Sequence, residues 1–427
     1  MKKKKILLLG DNITKFTGVG IIGNSIVKGT VDSFDWIQIA GASTTDINTR
    51  IDVSSDYKEK TSDANVILYP VKDYGNQDYL RFVIEQEKPD AILHITDPRY
   101  WMWMYDMEYE IHQHYKIPIV YYAIWDNYPA PKWNYPLYES SDVIISISKL
   151  SDEIHKEVTK QCKNQPSLQY VPHGVDPDIF YPINSTDSEY EEVLRIKDEF
   201  SQRHGAKKIF FWNNVNMSRK RPADVMRAYA VFCRRNKEYL KNSCLVMHTS
   251  IVSQAGTDLL TVKRHLFDDC NIIFSTEKIS PELLNYYYNI SAASINISHS
   301  EGFGLSNLES LMAGCPTITH QTGGLKDQSI TEATYKVETS HKVLSGSLAT
   351  PYIYQDYCSV EDVANGLEWA YNITPEQRQE LSKESRRRMI KNGFTSNQMA
   401  YKIESILLST LQTWKPAKPY QIISIND

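Results

Sequence analysis

Two series of short apolar segments, separated by a polar stretch, constrain the fold of this chain more than any other feature. The first series alternates in places with segments of helical length such as 79–88 and 103–115. Its predicted strands span 5–9, 36–39, 66–68, 91–95, 119–123, 143–147 and 169–171. Because these strands are apolar along their length, they are typical of a parallel sheet that is covered on both faces. The first series therefore predicts a doubly wound α/β domain.

The pattern starts again after residues 183–205, which are polar and highly charged. The second series has predicted strands at 208–212, 244–248, 271–274, 292–297 and 316–319, and predicted helices at 222–235, 257–266, 281–290, 306–313, 360–371, 375–391 and 396–411. A length of 427 residues suits two domains rather than one core. We predict two doubly wound domains with a boundary near residue 185, and a ligand site outside the carboxyl ends of the strands.

Composition excludes several classes of protein. No segment approaches the roughly 18 apolar residues of a membrane span, and the apolar run after the lysines at 2–5 is too short for a signal peptide. A net charge of −5 argues against nucleic acid as the main partner. The 6 cysteines are scattered without metal-ligand spacing, which is typical of reduced thiols. We expect a cytoplasmic protein without a metal site.

The most informative motif follows the predicted strand 292–297 and reads Ser300-Glu301-Gly302-Phe303-Gly304-Leu305-Ser306-Asn307-Leu308-Glu309. Glycines beside Glu301 suit a tight turn from a strand into a helix, which places Glu309 further along that helix. Free N–H groups at such a turn attract anions. Carboxylates instead accept hydrogen bonds from hydroxyl groups, as in sugar and ribose. The motif favours a nucleotide-sugar site, and the alternative is a solvated helix start with acidic residues.

Two other segments are candidates for phosphate binding. Gly18 and Gly20 follow the first predicted strand, where a helix start could face a phosphate, although glycines there also allow close packing of helix and strand. The consecutive cations at 219–221 stand directly before the helix predicted at 222–235. Cations at the positive end of a helix are easier to explain if they share an anion with it. A solvated basic turn is the alternative.

Aromatic residues are crowded between positions 100 and 138, where the sequence has Tyr100, Trp101, Trp103, Tyr105, Trp125, Tyr128, Trp133 and Tyr135. Many of these rings must lie in the core. The turn at 125–129 differs because it follows a predicted strand and carries Asp126 between aromatic residues. Rings at that position could stack on sugars, or on bases if the acceptor were nucleic acid.

These segments resemble the family-4 glycosyltransferases, which have the GT-B fold. The segment 300–309 is similar to the Glu-x7-Glu motif of that family, with Ser306 where proline is more usual. Further similar segments are 171–176, 312–316, 323–324 and 393–395. The resemblance implies two Rossmann-like domains facing a cleft: 1–185 on the acceptor side, 186–395 on the donor side, and a helix in 396–427 that packs back on the first domain.

The resemblance also implies roles for individual residues. Glu309 would accept hydrogen bonds from the donor's ribose, and Lys220 matches the lysine that binds the diphosphate. The arginine usually paired with that lysine falls on Val215, so Arg219 or Arg221 would replace it. The implied donor-binding residues are Gly18, Gly20, Asn214, Arg219, Lys220, Gly302, Phe303, Gly304, Leu305 and Glu309; the catalytic residues are Glu301, Lys220 and Asp126.

The acceptor-side assignment rests on fewer positions. The family's histidine near the reacting sugar falls on Trp125, so the implied acceptor residues are Trp125, Tyr128 and His94. His94 and His173 lie near predicted strand ends, and a structural role is the alternative for each.

We predict a retaining glycosyltransferase that moves a hexose or related sugar from a UDP- or GDP-linked donor to a hydroxyl of a glycan or of a lipid- or protein-linked sugar. Lys220, its neighbouring arginines and helix dipoles would neutralise the diphosphate, so neither a metal nor another cofactor is expected. The alternatives are a sugar phosphorylase or nucleotide-sugar hydrolase, a glycosyltransferase acting on modified DNA bases, and a non-catalytic nucleotide-sugar-binding subunit. The arginines at 386–388 are most simply a solvated face, with peripheral contact to an anionic membrane as the alternative.

Overall fold

The computed structural model describes residues 2–44 and 49–416. The chain forms two compact units. The first contains Met1–Trp125, Ala130–Pro172 and Ser396–Asp427, and the second contains Asp126–Pro129 and His173–Thr395. The short segment Asp126–Pro129 therefore groups with the second unit, although the chain on both sides of it groups with the first.

The first unit contains an eight-stranded sheet in the order β3-β4-β2-β1-β5-β6-β7-β8. Its strands are β1 (Lys4–Asp11), β2 (Phe34–Gly41), β3 (Ile51–Asp52), β4 (Val66–Pro70), β5 (Ala91–Ile95), β6 (Ile119–Ala123), β7 (Val143–Ser146) and β8 (Ser167–Tyr170). The short edge strand β3 is antiparallel to β4, and the remaining neighbours are parallel. The apolar strands of the first series thus form the predicted parallel sheet.

The helices of this part of the first unit are α1 (Gly18–Thr30), α2 (Gln77–Glu87), α3 (Met102–Tyr105), α4 (Glu108–Glu110), α5 (Tyr135–Glu139) and α6 (Lys149–Thr159). The segment 103–115, which the sequence predicts to be helical along its length, is broken into α3, α4 and a wide turn at Ile111–Tyr115. Its rings do not share one buried face: Tyr105 is buried, whereas Tyr109 is 46% exposed.

The second unit contains a six-stranded sheet in the order β11-β10-β9-β12-β13-β14, and all of its neighbouring strands are parallel. The strands are β9 (Lys208–Asn213), β10 (Ser243–His248), β11 (Ile272–Ser275), β12 (Ala293–Asn296), β13 (Thr317–His320) and β14 (Thr334–Val337). Its helices are α7 (Tyr190–His204), α8 (Pro222–Arg235), α9 (Lys237–Asn242), α10 (Leu259–Leu266), α11 (Pro281–Ile290), α12 (Leu305–Met312), α13 (Leu325–Gln328), α14 (Val360–Asn372) and α15 (Pro375–Lys391). Both units are therefore α/β and Rossmann-like, and the predicted fold class is confirmed.

The sequence did not predict α7, α9, α13 or β14 of the second unit, nor a hairpin of two further strands. The polar region before residue 205 contains α7, where Val193 is the buried residue of the helix, so the sequence offers almost no apolar periodicity. An antiparallel hairpin is formed by β15 (Thr339–Ser347) and β16 (Thr350–Cys358). Its base is fixed by Asp356, whose N–H donates to the His299 carbonyl at 3.0 Å and whose carboxylate accepts from Thr322 Oγ1 at 2.9 Å.

The last described helix, α16 (Ser396–Thr413), groups with the first unit. It buries Met399, Ala400, Ile403 and Leu407 and contacts α1. A Cβ atom at Gly29 of α1 would lie 2.4 Å from the Cβ of Ala400, so the two helices approach closely because both residues are small. Within residues 2–44 and 49–416, no helix combines the length and the hydropathy that crossing a bilayer requires.

Candidate active site

The turn between β12 and α12 is held by close backbone packing. Gly304 is the N-cap of α12 with φ 90°, and a Cβ there would lie 2.5 Å from Leu325 Cδ2. Gly323 has φ 48°, and a Cβ there would lie 2.1 Å from the Glu301 carbonyl oxygen. That carbonyl also accepts a hydrogen bond of 2.9 Å from the Gly324 N–H. The backbone at Glu301 is therefore fixed by the loop that follows β13.

Buried side-chain amides hold the same turn from the helix side. Gln328 Nε2 donates to the Phe303 carbonyl at 2.6 Å, and Asn307 Nδ2 donates to Gln328 Oε1 at 2.9 Å. Thr319 Oγ1 completes the chain by donating to Asn307 Oδ1 at 2.7 Å. Because each buried polar group is paired, the network fixes one position of the turn.

Glu301 lies buried at the centre of a charged cluster. The Lys220 ammonium group forms an ion pair with Glu301 Oε2, and Ser298 Oγ donates to the same oxygen at 3.2 Å. Arg219 Nη1 lies 3.4 Å from that oxygen and donates to the Ser300 carbonyl at 3.0 Å. The cations that precede α8 are thus brought to the carboxylate that precedes α12.

Burial and charge act in opposite directions on this cluster. Burial raises the pKa of Glu301, but the charges of Lys220 and Arg219 outweigh it, so the pKa lies below its usual range and the carboxylate is ionised. Burial lowers the pKa of Lys220, and the attraction of Glu301 opposes that effect. The side chain of Arg219 remains 40% exposed, which leaves its charge accessible to an anion from solvent.

Glu309 lies on α12 in a different environment. The hydroxyl of Tyr288, on α11, donates to Glu309 Oε2 at 2.8 Å and accepts from Asn213 Nδ2 at 3.1 Å. Burial raises the pKa of Glu309 to about 7. Sequence reasoning missed Tyr288 and Asn213; the run of tyrosines at 286–288 showed that rings were present there, but not which of them reaches Glu309.

The two arginines proposed as substitutes for the missing one at Val215 lie in different places. Arg219 contacts Glu301, as described above. Arg221 is buried, donates to Asp224 Oδ2 at 3.0 Å and to Cys358 Sγ at 3.1 Å, and places its guanidinium 5.3 Å from the centre of the Tyr357 ring. Arg221 thus ties the start of α8 to the end of β16.

The segment Asp126–Pro129 brings further predicted residues to the second unit. The charge of Asp126 acts on Lys220 and favours its protonated form. Asn127 Nδ2 donates to the Tyr354 carbonyl at 2.7 Å, and the Tyr354 N–H donates to the Tyr128 carbonyl at 2.6 Å. The unpredicted hairpin therefore supports this segment.

Other predicted residues lie in the first unit. Trp125 packs edge-on against Trp133, with ring centroids 5.6 Å apart. His94 is fully buried with Nδ1 2.6 Å from the Tyr105 hydroxyl, and burial lowers its pKa to about 3. A neutral imidazole within the core matches the structural role that the sequence left open for His94.

The glycines after β1 also lie in the first unit. Gly18 begins α1 and Gly20 donates its N–H to Thr17 Oγ1 at 3.0 Å. A Cβ at Gly20 would lie 2.7 Å from the Lys15 carbonyl oxygen, so close packing alone requires glycine there. The remaining predicted donor residues are Asn214, directly after β9, and Leu305, which begins α12.

Comparison with known proteins finds a family model that matches part of the chain and solved structures that share its fold. Residues 219–395 match the family model described as "Glycosyl transferases group 1". No curated protein sequence matches the chain.

Solved structures of similar fold include Anabaena HepE in complex with UDP-glucose, at 13% identity and TM-score 0.67 over 95% of this chain and 99% of that one. Another is sucrose-phosphate synthase from Thermosynechococcus elongatus, at 13% identity and TM-score 0.70 over 96% and 100% of the two chains. The Escherichia coli trehalose-6-phosphate structure bound with UDP-2-fluoro glucose has 11% identity and TM-score 0.67 over 97% and 100%.

The matched region contains the cluster of Arg219, Lys220 and Glu301. It also contains Glu309 on α12. The likeness to the solved structures spans nearly the whole chain, and the fold is that of GT-B proteins, with two Rossmann-like units. Residues 219–395 thus match a glycosyltransferase family model, and the chain has the GT-B fold of the solved structures.

Proposed function

We propose that the protein transfers a hexose or a related sugar, with retention, from a UDP- or GDP-linked donor to a hydroxyl of a glycan or of a lipid- or protein-linked sugar. The choice of donor is supported by similar structures that hold UDP-glucose and UDP-2-fluoro glucose. The single observation that carries the proposal is the buried cluster of Glu301 with Lys220 and Arg219 at the start of α12.

In this proposal each residue of the cluster contacts a different part of the donor. The fixed carboxylate of Glu301 accepts hydrogen bonds from sugar hydroxyls, with the N–H groups of residues 302–304 beside it. Lys220 and Arg219 face the diphosphate, where the start of a helix adds a favourable dipole. Glu309 accepts hydrogen bonds from the ribose hydroxyls, with Tyr288 fixing the orientation of its carboxylate.

We propose the following chemical step. The bond from the anomeric carbon to the β-phosphate oxygen breaks, a bond to the acceptor oxygen forms on the same face, and the acceptor proton passes to the leaving diphosphate. Lys220 and Arg219 stabilise the charge that develops on that diphosphate, acting as preorganised electrostatics. We propose that these cations make a metal ion unnecessary, so transfer would persist in excess EDTA.

The test is a thermal-shift panel of UDP, GDP, ADP and the corresponding nucleotide sugars, followed by measurement of nucleotide release. Specific binding raises the melting temperature by mass action. We expect the shift to be reduced in Glu309→Gln and retained in Glu282→Gln, an exposed carboxylate on α11 that serves as the matched control. The proposal fails if no nucleotide sugar shifts the wild-type protein at millimolar concentration.

A further inference from the structure

A stacked pair of tyrosines lies at the carboxyl edge of the sheet in the first unit. The rings of Tyr74 and Tyr100 are 4.7 Å apart between centroids and nearly parallel, at 9°. Tyr100 is 52% exposed although one of its faces lies against Tyr74. The exposed area therefore lies on the opposite face and the ring edge, which makes a flat aromatic surface open to solvent.

This surface is supported by a series of ring contacts that reaches the core. Tyr74 packs edge-on against Trp101 at 5.7 Å, and Trp101, which is fully buried, lies 5.7 Å from His94. On the other side, the Tyr74 hydroxyl donates to Asp11 Oδ1 at 3.1 Å. These contacts hold the ring of Tyr74, which in turn provides the surface on which Tyr100 stacks.

The backbone at Tyr74 is strained in this arrangement. Tyr74 has φ 62°, a left-handed conformation that residues other than glycine adopt at an energetic cost. Gly41, at the end of β2, leaves room for the ring, since a Cβ there would lie 2.3 Å from Tyr74 Cδ1. Strain of this kind is characteristic of binding sites, where the surrounding structure holds a side chain in one useful position.

The position of the pair indicates what binds. Strands β1, β2, β4 and β5 are parallel neighbours, so their carboxyl ends meet at one edge, which is where ligands of doubly wound sheets bind. The Asp97 carboxylate, which pairs with Arg99, belongs to the turn that carries Tyr100. A flat ring with charged hydrogen-bonding groups at its edge suits a sugar, whose C–H face packs on an aromatic ring while its hydroxyls reach polar neighbours.

We propose that the Tyr74–Tyr100 pair is the acceptor subsite and that it binds the pyranose ring of a glycosidic acceptor against the open face of Tyr100. The inference rests on the proposed function, because it names the side chains that would hold the sugar acceptor of that transfer. Tyr100 sets acceptor specificity by stacking, and Tyr74 is a positioning residue that holds Tyr100 in place.

The experiment uses the full chain and two separate readouts. Saturation-transfer NMR with methyl glycosides of glucose, galactose, mannose and N-acetylglucosamine reports binding of a sugar ring without any need for turnover. Glucose transfer from UDP-glucose to the same glycosides gives the KM of the acceptor and the KM of the donor. The variants are Tyr100→Ala, Tyr100→Phe and, as the matched exposed tyrosine of the first unit, Tyr401→Ala, which is 70% exposed on α16.

We expect at least one glycoside to show saturation transfer to its ring C–H protons, and we expect Tyr100→Ala to abolish it. The acceptor KM should rise about tenfold in Tyr100→Ala, stay within about twofold in Tyr100→Phe, which keeps the ring, and stay unchanged in Tyr401→Ala. The donor KM should be the same in all variants.

Two outcomes overturn the inference while the proposed function stands: UDP-glucose binds but no glycoside shows saturation transfer, or Tyr100→Ala raises the donor KM and leaves the acceptor KM unchanged. The second outcome would mean that the Tyr100 ring stacks on the nucleobase of the donor. Failure of the proposed function is a different result, in which none of the nucleotide sugars in the thermal-shift panel binds the wild-type chain.

Discussion

Lys220 and Glu301 form a buried ion pair, and each member depends on the other for its charge. Replacing Lys220 by alanine would leave the Glu301 carboxylate buried with Arg219 as its remaining cation. We expect the free energy of unfolding to fall by about 3 kcal/mol and turnover to fall roughly 100-fold, because stabilisation of the leaving diphosphate is lost. Urea unfolding and initial rates of UDP release would measure the two effects.

The double variant Lys220→Ala, Glu301→Gln separates stability from catalysis. Removing the buried charge should restore most of the lost stability, whereas turnover should remain low. If turnover returned together with stability, Lys220 would have only a structural role.

Glu309 provides a test of pH dependence. Its pKa is raised to about 7 by burial, so it is protonated below that pH and ionised above it. An ionised carboxylate accepts hydrogen bonds with both oxygens, and a protonated one loses part of that capacity. We expect UDP affinity, measured by calorimetry, to weaken several-fold between pH 8 and pH 6 in the wild type.

The matched measurement uses Glu309→Gln, which cannot titrate. Its UDP affinity should be about tenfold lower than that of the wild type at pH 8, since a hydrogen bond to a charged group is lost. Its pH dependence between 6 and 8 should be nearly flat. An equally steep pH dependence in this variant would assign the titration to another group.

At the scale of elements, the turn before α12 depends on the loop that follows β13. Gly323→Ala would force a Cβ to within 2.1 Å of the Glu301 carbonyl oxygen, in addition to the strain of a positive φ. Gly205→Ala is the matched control, because Gly205 also has a positive φ, 66°, and nothing lies within 4 Å of its added Cβ.

We expect Gly205→Ala to cost about 1 kcal/mol in the free energy of unfolding, which is the strain alone. Gly323→Ala should cost clearly more and should also weaken UDP-glucose binding, since it displaces Glu301. Denaturant unfolding and calorimetry test both statements. Equal effects of the two substitutions on stability and binding would mean that the loop does not set the position of the turn.

The sequence predicts elements where burial leaves a repeating pattern. Strands β9 and β12 are largely buried and were predicted nearly to their ends. Helices α8 and α11, which begin with proline, were predicted with the same accuracy. The hairpin of β15 and β16 is exposed along most of one strand, so it lacks the pattern that marks a buried strand. The exposed helix α7 was missed for the same reason.

The candidate site was predictable in part. Glycines beside Glu301 indicated a turn, and the consecutive cations at 219–221 indicated an anion site. The structure brings Lys220 into contact with Glu301. The choice between Arg219 and Arg221 was not predictable, because it depends on which guanidinium faces Cys358 at the end of a hairpin that the sequence did not reveal. The contact of Tyr288 with Glu309 likewise joins two helices, and no local pattern encodes it.

At the scale of the whole molecule, α16 completes the first unit from the other end of the chain. A chain that stops after Thr395 would expose the surface of α1 that Ala400 and its neighbours cover. We expect this truncation to lower the melting temperature and to make the first unit sensitive to protease. Tyr401→Ala, an exposed position of α16, is the control and should keep the melting temperature of the full chain; an equally stable truncation at Thr395 would contradict the prediction.

The grouping of α16 with α1 has a consequence for synthesis on the ribosome. All residues of the second unit have been made once the ribosome has passed Thr395, whereas the first unit still lacks its final helix. The unit that contains the amino terminus is therefore the last to be completed, which reverses the usual order in which domains form as a chain emerges. Until then, the apolar face of α1 is uncovered in the nascent chain, and we expect contacts of the nascent chain with chaperones to be most frequent in that period.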